Sequence, residues 1–323
     1  MPRRRRVGKR LVTALLPVLG LLAVGFCGAV GWLVATATRP PRHPYLVTPD
    51  KYFVPIKATE ERWRNPDGTE ARGWLLRGAE GGPAVVLLHS YGTDRSWLLN
   101  LGVKLSEATG ATVLWPDLRG HGQDPPVATT TFGAREGADV AAAVAFLRAL
   151  KTQGAARRPL AGPRLGVYGV ELGAYAALRY SAQAEGAARP DALVLDSIPA
   201  APDALLRAVI HERTGLTSPF VTALARFGTR LYFLGRYDNT PACALAARLP
   251  GTRALLLTGA RPDDTYDATV ALAPCFPAGA QIELLSALPL TGRNMASAPG
   301  EQGEAYDRRV IDYFDRTLRA ADR

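Results

Sequence analysis

Residues 166–173 read GVYGVELG, and the chain continues AYAALRY through residue 180. An apolar run with β-branched residues meets a glycine, then Val170-Glu171-Leu172, then a second glycine, after which alanine-rich helical sequence follows. The stretch reads as a strand ending, a sharp turn and a helix beginning. Gly169 and Gly173 on either side of the turn imply that neighbouring backbone presses close there, where a Cβ would not fit. Glu171, between them, stands at a helix N-terminus, whose free N–H groups and partial positive charge favour a carboxylate.

The same grammar extends in both directions. AVVLLHS (84–90), ATVLWPD (111–117), RLGVYGV (164–170), ALVLDS (192–197), RALLLTG (253–259) and QIELLSA (281–287) are six short apolar runs suited to strands covered on both faces. Helical patterns separate them. In residues 136–150 Val140, Val144 and Leu147 share a face, and in 304–318 Tyr306, Val310, Tyr313 and Phe314 do so. Upstream, residues 62–78 read as a hairpin turning at Pro66-Asp67-Gly68. The alternation predicts an α/β fold with a mostly parallel sheet and helices on both faces, over residues 61–323. Residues 199–240 carry helical pieces but no strand and are too long for an ordinary connection, so a small helical cap is expected there.

The N-terminus has a different composition. The 323 residues carry a net charge of +10, of which Arg3, Arg4, Arg5, Arg6, Lys9 and Arg10 supply six. The +4 left over forms no basic stripe, which argues against a nucleic-acid partner. Residues 11–38 hold no charged side chain and exceed the ~20 needed to cross a bilayer. They predict a membrane anchor following a basic tail at 1–10, with the small-residue stretch Ala35-Thr36-Ala37 keeping a cleaved signal open as the alternative. The charge asymmetry puts the tail in the cytoplasm and the large domain outside it, at the cell membrane, after a proline-rich stalk at 39–60. Cys243 and Cys275 could pair in an oxidising compartment or remain two buried thiols.

Three segments coincide in order with strand context: His89-Ser90-Tyr91-Gly92, Asp117-Leu118-Arg119-Gly120-His121-Gly122, and the turn at Gly169–Gly173. Together they resemble the α/β-hydrolase superfamily over roughly residues 70–320, and the last has the spacing of its G-x-S-x-G nucleophile elbow. The resemblance implies that Glu171 occupies the nucleophile position and that the N–H groups of Tyr91 and Leu172 form the oxyanion hole. It places the orienting acid at Asp263 or Asp264, in a turn where aspartate is also a common structural residue. It places the histidine after the last strand, where Arg293 or Asn294 is the nearest occupant. The four histidines (His43, His89, His121, His211) all precede the last two predicted strands. Glu171 could instead accept the oxyanion-hole N–H groups with its own carboxylate and fill that hole.

The resemblance also implies that His89 braces the loop after its strand. His121 reads as structural, His43 as part of the stalk, and His211 as a cap residue that could swing over the site; Ser90 and Ser197 follow strands without a visible base. No metal cluster, phosphate loop or dinucleotide fingerprint is present, so no cofactor is expected. The reading is a membrane-anchored, hydrolase-like protein with a dismantled triad that binds a small molecule or a protein. An active ester, peptide or acyl hydrolase using Glu171 and a structural envelope protein are the alternatives.

Overall fold

The structure, a computed structural model, describes residues 3–54, 56–152, 157–260, 263–297 and 300–319. They divide into two compact units, one comprising Arg39–Leu205 with Asp238–Arg323 and the other Met1–Thr38 with Leu206–Tyr237.

The larger unit is built on one eight-stranded sheet. Its strands are β1 (Ala58–Arg64), β2 (Glu70–Leu76), β3 (Ala84–Leu88), β4 (Thr112–Pro116), β5 (Leu165–Val170), β6 (Ala192–Asp196), β7 (Arg253–Gly259) and β8 (Gln281–Leu288). They lie in the order β1-β2-β4-β3-β5-β6-β7-β8. β2 runs antiparallel to both neighbours and the remaining pairs are parallel. Every residue of β3, β4, β5 and β6 is buried, which is why these strands are continuous apolar runs. The edge strands β1 and β8 instead carry Glu60, Glu61, Arg62 and Glu283, charges that discourage pairing with another chain.

Helices cover the sheet in packed sets. α2 (Leu99–Thr109) packs with the C-terminal α9 (Glu301–Arg319), and α3 (Glu136–Ala149) packs with α4 (Leu172–Gln183). α7 (Ala242–Ala246) joins α4 to α8 (Asp264–Leu272). The expected hairpin is β1–β2, closed by the Gly68 N–H donating to Asn65 O at 2.9 Å.

The stalk expected at 39–60 is not a free tether. The Tyr45 ring lies 5.1 Å from that of Trp74, and the Tyr45 hydroxyl donates to the Asp117 carboxylate at 3.0 Å. Arg95, buried, stacks over Trp74 and donates to the Tyr45 hydroxyl and to Glu60. Aromatic side chains within the proline-rich stretch therefore fasten it to the sheet, a packing that composition alone does not reveal.

Of the two possibilities for the cysteines, the structure has the disulfide Cys243–Cys275, which ties α7 to the turn after α8 across 32 positions of chain. Closing a loop of that length removes roughly 3–4 kcal/mol of unfolded-chain entropy. Reduction should therefore lower the urea midpoint by a corresponding amount; an unchanged midpoint under reducing conditions would count against a stabilising bridge.

The smaller unit holds α1 (Arg3–Thr38) and α6 (Pro219–Tyr232), together with α5 (Pro202–Thr214) from Leu206 onward. α6 packs on α1, and Arg213 of α5 donates to the Thr36 carbonyl. Residues Leu15–Thr38 of α1 are long and apolar enough to cross a membrane, by length and composition.

Candidate active site

Val170 ends β5 and Leu172 begins α4, which leaves Glu171 alone on the turn with φ 48° and ψ −102°. A non-glycine residue at positive φ stores strain, of order 1–3 kcal/mol, and persists where its surroundings fix it. Here they do. The Glu171 N–H donates to Asp196 O at 2.8 Å, and the Tyr175 N–H donates to Glu171 O at 3.0 Å. The flanking glycines meet backbone: a Cβ on Gly169 would lie 2.3 Å from Gly173 O, and one on Gly173 would lie 2.4 Å from Leu88 O.

The Glu171 side chain is only 6% exposed. Its Oε2 accepts the Tyr91 N–H at 3.2 Å, and its Oε1 lies 3.2 Å from Nε of Arg293. Arg293 also reaches Asp263, Nη1 to Oδ2 at 3.5 Å. Glu171, Arg293 and Asp263 thus form a chain of alternating charge across the end of the sheet. Leu172, the other expected oxyanion donor, opens α4, and the Glu171 side chain makes no capping bond to that helix.

The remaining site residues separate into different jobs. Asp263 caps α8 by accepting the N–H groups of Thr265 and Tyr266 at 2.9 and 2.7 Å. Partial burial raises its pKa, but these hydrogen bonds and the Arg293 charge outweigh that and hold it below the usual carboxylate range. Asp264 is the first residue of α8, and Asp263, which caps that helix, is the candidate acid paired with Arg293. Asn294, the other candidate for the downstream position, is engaged within its own turn. Its carbonyl oxygen accepts the Thr291 N–H at 3.0 Å and holds a turn, because backbone donors in a tight turn capture a short amide side chain. Its longer neighbour Arg293 spans the gap instead.

A buried carboxylate that the sequence reading passed over positions this turn. Asp196, at the end of β6 and fully buried, accepts the Gly292 N–H at 2.6 Å and the Ser197 hydroxyl at 2.7 Å. It also accepts the Tyr306 hydroxyl, which in turn pairs with that of Tyr168 at 2.7 Å. Burial pushes the Asp196 pKa up, against the pull of these donors. The only hint in sequence was an apolar strand ending on aspartate, ALVLDS, whose partner lies 96 residues downstream. A cavity of about 620 Å³ opens beside the charge chain, lined by Ser197, Thr258, Asp263, Arg293 and Asn294 together with apolar Leu288 and Pro289. Ser197 itself has φ 52°.

Two buried histidines of the sheet unit serve the frame. His89 donates from Nδ1 to Ser90 O at 2.8 Å and accepts the Leu118 N–H at Nε2, 3.0 Å away, so it clamps the loops after β3 and β4 in one neutral tautomer. Burial pushes its pKa down to about 4, and burial followed by the nearby His89 pushes His121 down to about 3. The unfolded chain binds these protons near the ordinary value of 6.5. The stabilisation is therefore complete above that pH and is lost as pH falls toward the folded values, by on the order of 3 kcal/mol for His89. Urea midpoints should fall between pH 7 and 4.5, less steeply in a His121→Gln variant; parallel profiles would remove His121 from the explanation. His211 is exposed on α5 within the smaller unit. Among the described residues, no group of three His, Cys, Asp or Glu is placed to hold a metal ion.

The comparisons with known proteins agree on one architecture. The model of the alpha/beta hydrolase family matches residues 85–320. No curated protein matches the chain significantly in sequence. Among solved structures, an esterase of Pyrococcus furiosus is similar with a TM-score of 0.64 at 20% identity, covering 87% of this chain and 98% of its own. A hydrolase from Pseudomonas aeruginosa is similar at 0.53 and 21%, covering 79% and 98%. An enol-lactonase from Burkholderia xenovorans is similar at 0.52 and 20%, covering 79% and 99%.

Proposed function

Because this chain belongs to the α/β-hydrolase family, we propose that it is a member whose site binds without hydrolysing: a membrane-anchored protein with a dismantled triad. One observation carries this reading. At the elbow the Glu171 carboxylate accepts the Tyr91 N–H and pairs with Arg293, so the place of nucleophile and oxyanion is filled by a salt-bridged side chain. Arginine stays protonated and cannot shuttle a proton near neutral pH, and the four histidines lie at positions 43, 89, 121 and 211, all before β7. Acyl transfer needs a base for its nucleophile and for water, and neither is at hand. The cavity beside the charge chain, rich in hydroxyl and amide groups, suits a small polar molecule.

The anchoring part rests on the length of the apolar helix, on the six positive charges before it, and on a disulfide compatible with an oxidising compartment. This orientation leaves the sheet unit outside the cytoplasm.

A second reading, a hydrolase working through Glu171, is favoured by the family match, since the similar structures include an esterase and a lactonase. The two separate in a screen of acyl esters, amides and peptides run beside Glu171→Ala. The binding reading expects no saturable turnover in either protein. Turnover that disappears in Glu171→Ala would establish the second.

A further inference from the structure

The smaller unit contains an apolar surface that the proposed function leaves unexplained. α6 buries Ala225, Gly228 and Thr229, and it packs on α1 so closely that a Cβ on Gly228 would lie 2.5 Å from Val30 and 2.7 Å from Val34. Its other side carries Phe220, Phe227 and Leu231, exposed by 70%, 60% and 62%, and Leu234 follows at 80%. Phe220, Ala223, Phe227 and Leu231 recur at helical spacing and form one stripe, and Leu234 adds apolar surface just past the helix end. For a water-soluble surface this is an unusual concentration of large apolar side chains.

Its position along α1 indicates what covers it. About 20 residues span the hydrocarbon, and residues 11–30 supply them without a charge. Val30 to Thr38 then rise roughly 12 Å further, through the headgroup level, and α6 crosses α1 there. Exposed Trp32 lies on this stretch of α1 and exposed Tyr232 ends α6, residue types that concentrate at the membrane–water boundary. Residues 206–237 also contain five arginines, Arg207, Arg213, Arg226, Arg230 and Arg236, against the single acid Glu212. An apolar stripe in a basic segment is the composition of a helix lying in an anionic lipid surface.

We propose that α6 lies in the outer leaflet beside α1, its Phe220–Phe227–Leu231 stripe inserted at the headgroup boundary of an anionic bilayer. The inference rests on α1 being the membrane anchor, and the test separates the two. The full chain, with Cys27→Ala, carries an environment-sensitive fluorophore at Leu231→Cys or, separately, at Leu22→Cys, and is reconstituted into phosphatidylcholine–phosphatidylglycerol vesicles. Both labels should be blue-shifted, the first quenched by shallow spin-labelled lipid and the second by deep. A lipid-quenched label at position 22 with a water-quenched label at 231 overturns the proposal and keeps the anchor. A label at 231 shielded from both water and lipid overturns it in favour of a protein contact. Water-quenched labels at both positions overturn the anchor and the proposal together.

Discussion

A protein carrying Glu171→Ser together with Arg293→His is expected to hydrolyse p-nitrophenyl butyrate on the order of 10²–10⁴-fold faster than the unaltered chain, the range that a positioned general base contributes. Part of the geometry is already present. Position 171 sits on the strained turn, and removing its carboxylate frees the Tyr91 N–H for an oxyanion. Position 293 places a nitrogen 3.2 Å from the Glu171 carboxylate and another 3.5 Å from Asp263. Histidine Nε2 stands the same number of bonds from Cα as arginine Nε. An imidazole at 293 would stand between position 171 and Asp263, which Arg293 now bridges, and because serine Oγ and histidine Nδ1 lie nearer the backbone than the atoms they replace, the relay forms when the turn after β8 closes on the elbow. Each single change should give nothing measurable: a serine beside Arg293 has no base, and a histidine beside Glu171 has no hydroxyl to activate. Initial rates of the four proteins decide the matter. A double variant that folds yet shows no gain would mean that Arg293 does not occupy the relay position, and the account of the site would have to be abandoned.

The second large effect concerns the frame. Gly173→Ala should cost ~3 kcal/mol or more, a large share of a typical domain's stability, because the new methyl group would lie 2.4 Å from Leu88 O and 2.6 Å from His89 O. Both are backbone atoms of a buried strand end, and neither can move without breaking the pairing of β3 with β5. Gly259→Ala is the matched control. Its methyl would meet the Thr291 methyl at 3.3 Å, and its stability should change by less than ~1 kcal/mol. Thermal melts of the two variants compare the effects directly, and equal melting temperatures would contradict the steric reading of the elbow.

The two expectations draw on different information. The frame was legible because its signals are local. Continuous apolar runs such as AVVLL and ALVLD, set between helical patterns, suit strands covered on both faces, and glycines at 169 and 173 announce a close approach whatever stands between them. The position of Glu171 on the turn followed from the same spacing. That no histidine follows position 211 in this sequence was legible by composition, since four imidazoles can be counted and located.

The contacts of the site were not legible, because they join residues far apart in the chain. Nothing in the sequence ranks Arg293 above Asn294, or Asp263 above Asp264, until the turn after β8 is folded against the end of β5. Only then does reach decide: Asn294 is short enough to be captured by the Thr291 N–H, and Arg293 is long enough to bridge two carboxylates. Asp196 was hidden for the same reason, as a buried acid is intelligible only beside the Gly292 N–H and Tyr306 hydroxyl that satisfy it. The sequence by itself determined the sheet, the elbow and the absence of a downstream imidazole, because periodicity and composition act within a few residues. The tertiary structure alone decided which charges meet and that Tyr45 fastens the supposed stalk, because electrostatic and packing energies depend on distances that only the folded chain defines.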